Sequence, residues 1–239
     1  MVQPGYSAYF IAMEVEALHL IREKTSLPVP EIYAWGLARE NQLGLGPFML
    51  INFINGICLG EVFGGGNSRL FREDIPDADI EYVYRQMAHF MLQLCKIDFS
   101  QIGSLPTLKK NFPAPGRPLT WKAHEILRVG GVDTFGSCLI PDLINTSYDR
   151  GPFNIICDDF GIGNVIVRSK NDLTITGVVD MEWVYTGPAQ LFGSAPWWLV
   201  MDRPVNEEWD FEVDDAPEGT DRYFKYLDIL KSKDSSQAR

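Results

Sequence analysis

Asp159, Asn164 and Asp180 are the residues of this chain whose types and spacing could do chemistry together. A carboxylate can accept the proton of an attacking hydroxyl. Carboxylate and amide oxygens are hard donors of the kind that Mg²⁺ prefers. A base, then an Asn five residues on, then an Asp after the next hairpin make a constellation for metal-assisted phosphoryl transfer. The Asp-x4-Asn spacing alone also occurs by chance. A loop of solvated carboxylates capping a hairpin fits the bare pattern equally well, so the surrounding elements carry the argument.

Those elements are legible. Ile155-Ile156-Cys157 reads as the end of a buried strand, and Asp158 to Gly163 reads as a loop. Val165-Ile166-Val167 and Thr174 to Val179 are β-rich runs joined by the polar turn Ser169-Lys170-Asn171-Asp172. If Arg168 pairs with Thr174, antiparallel register sets Asn164 opposite Val178, two residues from Asp180. Residues so placed lie within roughly 5–8 Å of each other. The three side chains are thereby expected to converge at one end of the hairpin.

This stretch resembles the aminoglycoside phosphotransferase and choline kinase-like family, whose signature is His-Gly-Asp-x4-Asn followed by Ile-Asp-Trp-Glu. It is most similar to a fungal branch carrying Cys-Asp-Asp-Phe and a downstream Pro-Trp-Trp-Leu. The matching residues are Gly151-Pro152-Phe153, Cys157-Asp158-Asp159-Phe160, Asp180-Met181-Glu182-Trp183 and Pro196-Trp197-Trp198-Leu199. The likeness runs from about Glu14 to Val200. It implies an α+β, protein kinase-like two-lobe fold with a truncated N-lobe and a mainly helical C-lobe. Residues 1–55 would be the partial N-lobe, with a hinge at about 52–56. Residues 56–230 would be the C-lobe, and 231–239 a disordered tail.

The resemblance also assigns roles. Asp159 becomes the catalytic base, while Asn164 and Asp180 become ligands of Mg²⁺. Glu14 matches the helix Glu that pairs with an ATP-contacting Lys, and backbone groups of Asn52, Phe53 and Ile54 would meet adenine. Glu182, Trp183, Trp197 and Trp198 are candidates for the substrate side, although large aromatics more often fill a core. One departure stands out. The first lysine is Lys24, after Glu14, and neither Gly44 to Gly46 nor Gly64-Gly65-Gly66 is placed to cover phosphates.

Composition narrows the classes. Hydrophobic residues make up 46% of the chain, which indicates a globular protein. No apolar run reaches about 18 residues, so no transmembrane helix is expected, and no leader segment is visible. Four scattered cysteines and three unclustered histidines disfavour a zinc site or a disulfide framework and fit the cytoplasm. Eight acidic residues between Glu207 and Asp221, with no Lys or Arg among them, supply most of the net charge of −11. Such a run is first a solvated loop, and nucleic acid, which needs a basic footprint, is an improbable partner.

Along the chain, Ala8 to Lys24 is an amphipathic helix with Phe10, Met13, Ala17, Leu20 and Ile21 in its stripe, and Leu27-Pro28-Val29-Pro30 ends it. Glu31 to Gly36 and Pro47 to Phe53 read as strands, and Cys58 to Phe63 as a short helix. Asp77 to Ile97 is the clearest helix, with Asp77 as its cap and His89 on its surface. Thr120 to Val129, Leu139 to Tyr148 and Tyr223 to Leu230 are expected helices, and Tyr185-Thr186-Gly187-Pro188 a turn. Three functions remain in play. The first is an ATP- and Mg²⁺-dependent phosphotransferase acting on a hydroxyl of a small molecule. The second is a catalytically impaired, pseudokinase-like binding protein lacking the Lys and the Gly-rich loop. The third is a metal-dependent hydrolase using Asp158, Asp159, Asp180 and Glu182. An exposed N-lobe edge could also drive homodimerisation.

Overall fold

A computed structural model describes residues 4–64, 71–72, 74–105, 150–192 and 228–229. The helices expected at 120–129 and 139–148, most of the one at 223–230, the Trp197-Trp198 pair, the acidic run and the side chain of Phe10 lie outside the described residues.

The first element is helix α1 (Pro4–Lys24). Ala12, Met13, Val15, Ala17, Leu18 and Ile21 are all buried, so the helix is enclosed more fully than a single stripe requires. Each large apolar side chain so enclosed contributes about 1.5–3 kcal/mol. The Thr25 N–H and Oγ1 both donate to the Ile21 carbonyl, and the Leu27 N–H donates to Thr25 Oγ1. These bonds close the last turn before the two prolines, and Arg22 and Lys24 sit where the helix dipole favours cations.

Strands β1 (Ile32–Gly36) and β2 (Phe48–Ile51) form an antiparallel hairpin. Strand β3 (Ile57–Cys58) leads into helix α2 (Leu59–Phe63). Helix α3 (Asp77–Leu94) buries Ile80, Val83, Tyr84, Met87 and Leu94 at helical spacing, with Met91 half-buried. Two local expectations are corrected there. Pro76 occupies the cap position and no side chain caps the helix, so Asp77 and Asp79 help through their charge in the first turn. His89 is half-buried with its ring beside Phe90, because the helix is covered more widely than its main stripe.

Strands β4 (Gly103–Ser104), β5 (Phe153–Cys157) and β8 (Val184–Pro188) form a sheet in the order β4-β8-β5. The turn expected at Tyr185 to Pro188 is therefore a central strand. Gly-Pro reads as a turn signal, but Pro188 falls at the final pair of the ladder, opposite Phe153, where a missing N–H is tolerated. Helix α4 (Ala189–Phe192) follows.

Strands β6 (Val165–Ser169) and β7 (Asp172–Val178) pair antiparallel, and β3 joins β6 to give the order β3-β6-β7. Ser169 Oγ accepts from the N–H groups of Asn171 and Asp172 and shapes the connecting turn. The open side of β7 is also engaged. The Gln86 side chain of α3 donates to Leu173 O at 3.0 Å and accepts from the Ile175 N–H at 2.8 Å. Pro28 O accepts from the Val178 N–H at 2.8 Å. Val165, Val167, Leu173, Ile175 and Val178 pack into the same core cluster as α1, α2 and α3. No helix among the described residues is long and apolar enough to cross a membrane.

Candidate active site

Strand β5 delivers the chain to Asp158 and Asp159, and the loop that follows wraps around one carbonyl. Asp159 O accepts from the Gly161 N–H at 2.9 Å and from Asn164 Nδ2 at 2.9 Å. The Asn164 N–H donates to Gly161 O at 3.0 Å, which tightens Ile162–Asn164 into a single 3-10 turn. On the other flank the Asp158 N–H donates to Trp183 O at 3.2 Å. Because Nδ2 is the end of the Asn164 amide held by the loop, Oδ1 is the end left to meet a cation.

Register brings Asp180 into the same place, though not the register expected from the sequence. Val167 stands opposite Ile175, but Ile166 stands opposite Gly177 and Val165 opposite Val178. Thr176 is the extra residue of a β-bulge. The shift sets Asn164 opposite Val179, whose N–H donates to Asn164 O at 2.9 Å, rather than opposite Val178. Asn164 is thereby beside the residue adjoining Asp180. Asp180 itself has φ 62°, a left-handed backbone that Asp tolerates better than most residues. Asp158, Asp159, Phe160, Val179, Asp180 and Met181 line one cleft.

The electrostatics of the cleft are those of crowded acids. Burial and then the neighbouring charge of Asp159 raise the Asp180 carboxyl above its ordinary range. Glu14 reaches the cleft from α1 and accepts from the Met181 N–H at 3.2 Å. Its pKa is pushed up to about 7, first by burial and further by the charges of Asp180 and Glu182, with the Met181 N–H acting in the opposite direction. Among the described residues, no Lys or Arg forms an ion pair with Glu14. Burial and the charge of Asp158 push the Cys157 thiol up to about 12, so it stays protonated and is no nucleophile. Among the described residues, no three His, Cys, Asp or Glu side chains gather closely enough to hold a metal ion. A cation here would rest on one amide oxygen and the Asp180 carboxylate, with water or phosphate completing the shell.

The other predicted residues divide. Trp183 is 5% exposed and lies in the wall of the cleft, while Glu182 is half-buried beside it. Asn52 is occupied, since its N–H donates to Glu31 O at 3.0 Å and its Oδ1 accepts from the Glu31 N–H. Those bonds extend the β1–β2 ladder and occupy the Asn52 N–H, one of the backbone groups expected to meet a ligand. Phe53 is 83% exposed, and Ile54 packs against Gly177 so closely that a Cβ there would fall 2.6 Å from its Cδ1. Two participants escaped the sequence reading. One is Thr176, signalled by the isolated Gly177 inside a strand, which marks a bulge or a close approach. The other is Cys58, whose Sγ lies 3.3 Å from Gly163 O, and nothing in its sequence neighbourhood announces that contact.

No protein-family model matches the chain, and no curated protein matches it. Solved structures do. A candidate aminoglycoside phosphotransferase from Ralstonia eutropha JMP134 superposes with a TM-score of 0.52 at 13% identity, over 95% of this chain and 65% of its own. A candidate fructosamine-3-kinase from Haemophilus somnus 129PT gives 0.50 at 16% identity, over 94% and 65%. The aminoglycoside phosphotransferase APH(2")-IIa in complex with gentamicin gives 0.50 at 13%, over 93% and 66%. The chain thus spans about two thirds of the length of these structures, and it shares their fold, with mixed helix and strand.

Proposed function

We propose that this chain is a phosphotransferase that moves a phosphoryl group from ATP, with Mg²⁺, to a hydroxyl of a small molecule. The observation that supports this reading best is the bonded circuit joining Asp159 O, Asn164 and Val179 at 2.9 Å, which ties Asn164 to the backbone of two residues of the cleft that Asp159 and Asp180 line. The oxygen donors suit Mg²⁺, and the mutual repulsion of Asp159 and Asp180 is the field that a cation relieves. When bound, such an ion neutralises phosphate charge. Asn164 Oδ1 and the Asp180 carboxylate would hold it. Asp159 accepts the hydroxyl proton as the new O–P bond forms and the bond to the ADP oxygen breaks. Positioning and charge neutralisation then supply most of the rate. Backbone groups of Phe53 and Ile54, with Asn52 already engaged, would face adenine across a partial N-lobe made of α1 and the β1–β2 hairpin. A mainly helical C-lobe completes this reading.

A second reading is a binding protein without turnover. It is favoured by Glu14, which bonds the Met181 backbone instead of pairing with a Lys or Arg among the described residues. Thermal unfolding with and without nucleotide tests the nucleotide-dependent reading. A ligand at about 100 times its Kd stabilises the native state by about 2.7 kcal/mol. A rise in Tm with millimolar ATP and Mg²⁺ is expected, and its absence would remove ATP from the account. Phosphate transfer then separates the enzyme from the binding protein.

A further inference from the structure

We propose that Thr176 is the positioning residue that sets the register at the Asn164 end of the β6–β7 hairpin and so places Asn164 opposite Val179, the neighbour of Asp180. The proposal rests on the phosphotransferase reading for its purpose and on geometry for its substance. Continuing the Val167–Ile175 pairing without interruption would place Asn164 opposite Val178. The bulge at Thr176 advances β7 by one residue, so that Asn164 meets Val179. A second register shift lies nearer the turn, between Val167 and Ser169, so the bulge at Thr176 governs the end of the hairpin next to Asn164, where side chains alternate between faces.

The bulge is built into its surroundings. The Thr176 hydroxyl stands 3.1 Å from Asn55 O and 3.3 Å from Ile166 O, and its one proton serves these two carbonyls. Asn55 belongs to the segment that crosses the hairpin. Gly56 has φ +152°, and a Cβ there would lie 2.3 Å from Val167 O and 3.1 Å from Thr176 Oγ1. Ile54 seals the adjoining position over Gly177. The segment expected to meet adenine therefore docks on the residue that fixes the metal-ligand register. Valine has the shape of threonine without the donor, so Thr176→Val leaves the carbonyls of Asn55 and Ile166 without their proton while preserving volume. Thr176→Ser restores the donor.

Two measurements test the proposal. In native-state amide exchange followed by NMR, Thr176→Val should exchange the Val179 N–H about ten-fold faster or more, while the buried amides of α3 stay unchanged. Thr176→Ser should keep wild-type protection. In calorimetry, Mn²⁺ should tighten ATP binding to the wild type, and Thr176→Val should lose about ten-fold of that enhancement while metal-free binding is retained. A Val179 amide equally protected in Thr176→Val overturns the positioning role. A wild type that binds neither ATP nor Mn²⁺ overturns the phosphotransferase reading instead, and the exchange result still decides the role of Thr176.

Discussion

Two antiparallel hairpins in this molecule have opposite fates. In β6–β7, Val165, Val167, Leu173, Ile175 and Val178 are buried, a third strand flanks one side, and α1 and α3 close over the rest. In β1–β2, Tyr33, Leu50 and Ile51 are exposed, Tyr33 at 67%. Both sequences are rich in β-branched and aromatic residues, so strand propensity does not separate them. What separates them is the partner each face finds. The buried hairpin carries Asn164 and leads to Asp180, groups that must be held within fractions of an ångström to be useful. The exposed one leads to Asn52, held to Glu31, and to the exposed Phe53.

The largest effect that could break this contrast is on turnover. Asp159→Asn should cost about 10²–10⁴ in the rate of phosphate transfer, the range for losing a general base, while ATP binding persists. Full activity in that variant would remove Asp159 from the role. Next, the two hairpins should answer the same substitution differently. Ile175→Ala, in the core, should lower unfolding free energy by about 2–5 kcal/mol in urea titration. Ile51→Ala should cost under about 1 kcal/mol, and comparable losses would erase the distinction.

Glu14 gives a pH test of how α1 meets the buried hairpin. Its pKa moves from 4.5 to about 7, so the folded state holds a proton that the unfolded chain releases. Stability on this account is greatest below about pH 4.5 and declines as pH rises to about 7, by up to about 3 kcal/mol. Glu14→Gln keeps an acceptor for the Met181 N–H but cannot ionise. It should flatten that slope and unfold at higher temperature than wild type at pH 8. An unchanged Tm–pH profile would take Glu14 out of the cleft. The smallest expected effect is at the hairpin turn. Asp172 is drawn down to about 2 by its bonds to Thr174 and then by Arg168. That lowering stabilises above the ordinary carboxylate range and is lost as pH falls through about 2. Asp172→Asn should therefore lower Tm slightly at neutral pH, with the difference fading in strong acid.

Much of this was legible from residue order. The β-branched runs at Val165–Val167 and Thr174–Val179, the loop between Asp158 and Gly163 and the α3 stripe follow local rules that tertiary structure respects. Glu14 was singled out by the family resemblance as the partner of a Lys, and its bond to the Met181 N–H was not legible, because that contact joins residues 167 apart. Register was not legible either, because the bulge depends on Asn55, more than a hundred residues away, accepting the Thr176 hydroxyl. Tyr185–Pro188 was misread because Gly-Pro speaks for a turn only where no neighbouring strands compete for it. Asn52 looked available because its bonds to Glu31 span a loop that sequence alone does not close.

The amide of Gln86 carries a last consequence. By giving one hydrogen and taking another along β7, it imitates the peptide group of a neighbouring strand. Strands left open are templates on which other chains can polymerise. A single side chain from α3 thus occupies backbone groups of β7 that an added strand would need. Replacing it with leucine would be expected to show first in the turbidity of a concentrated solution.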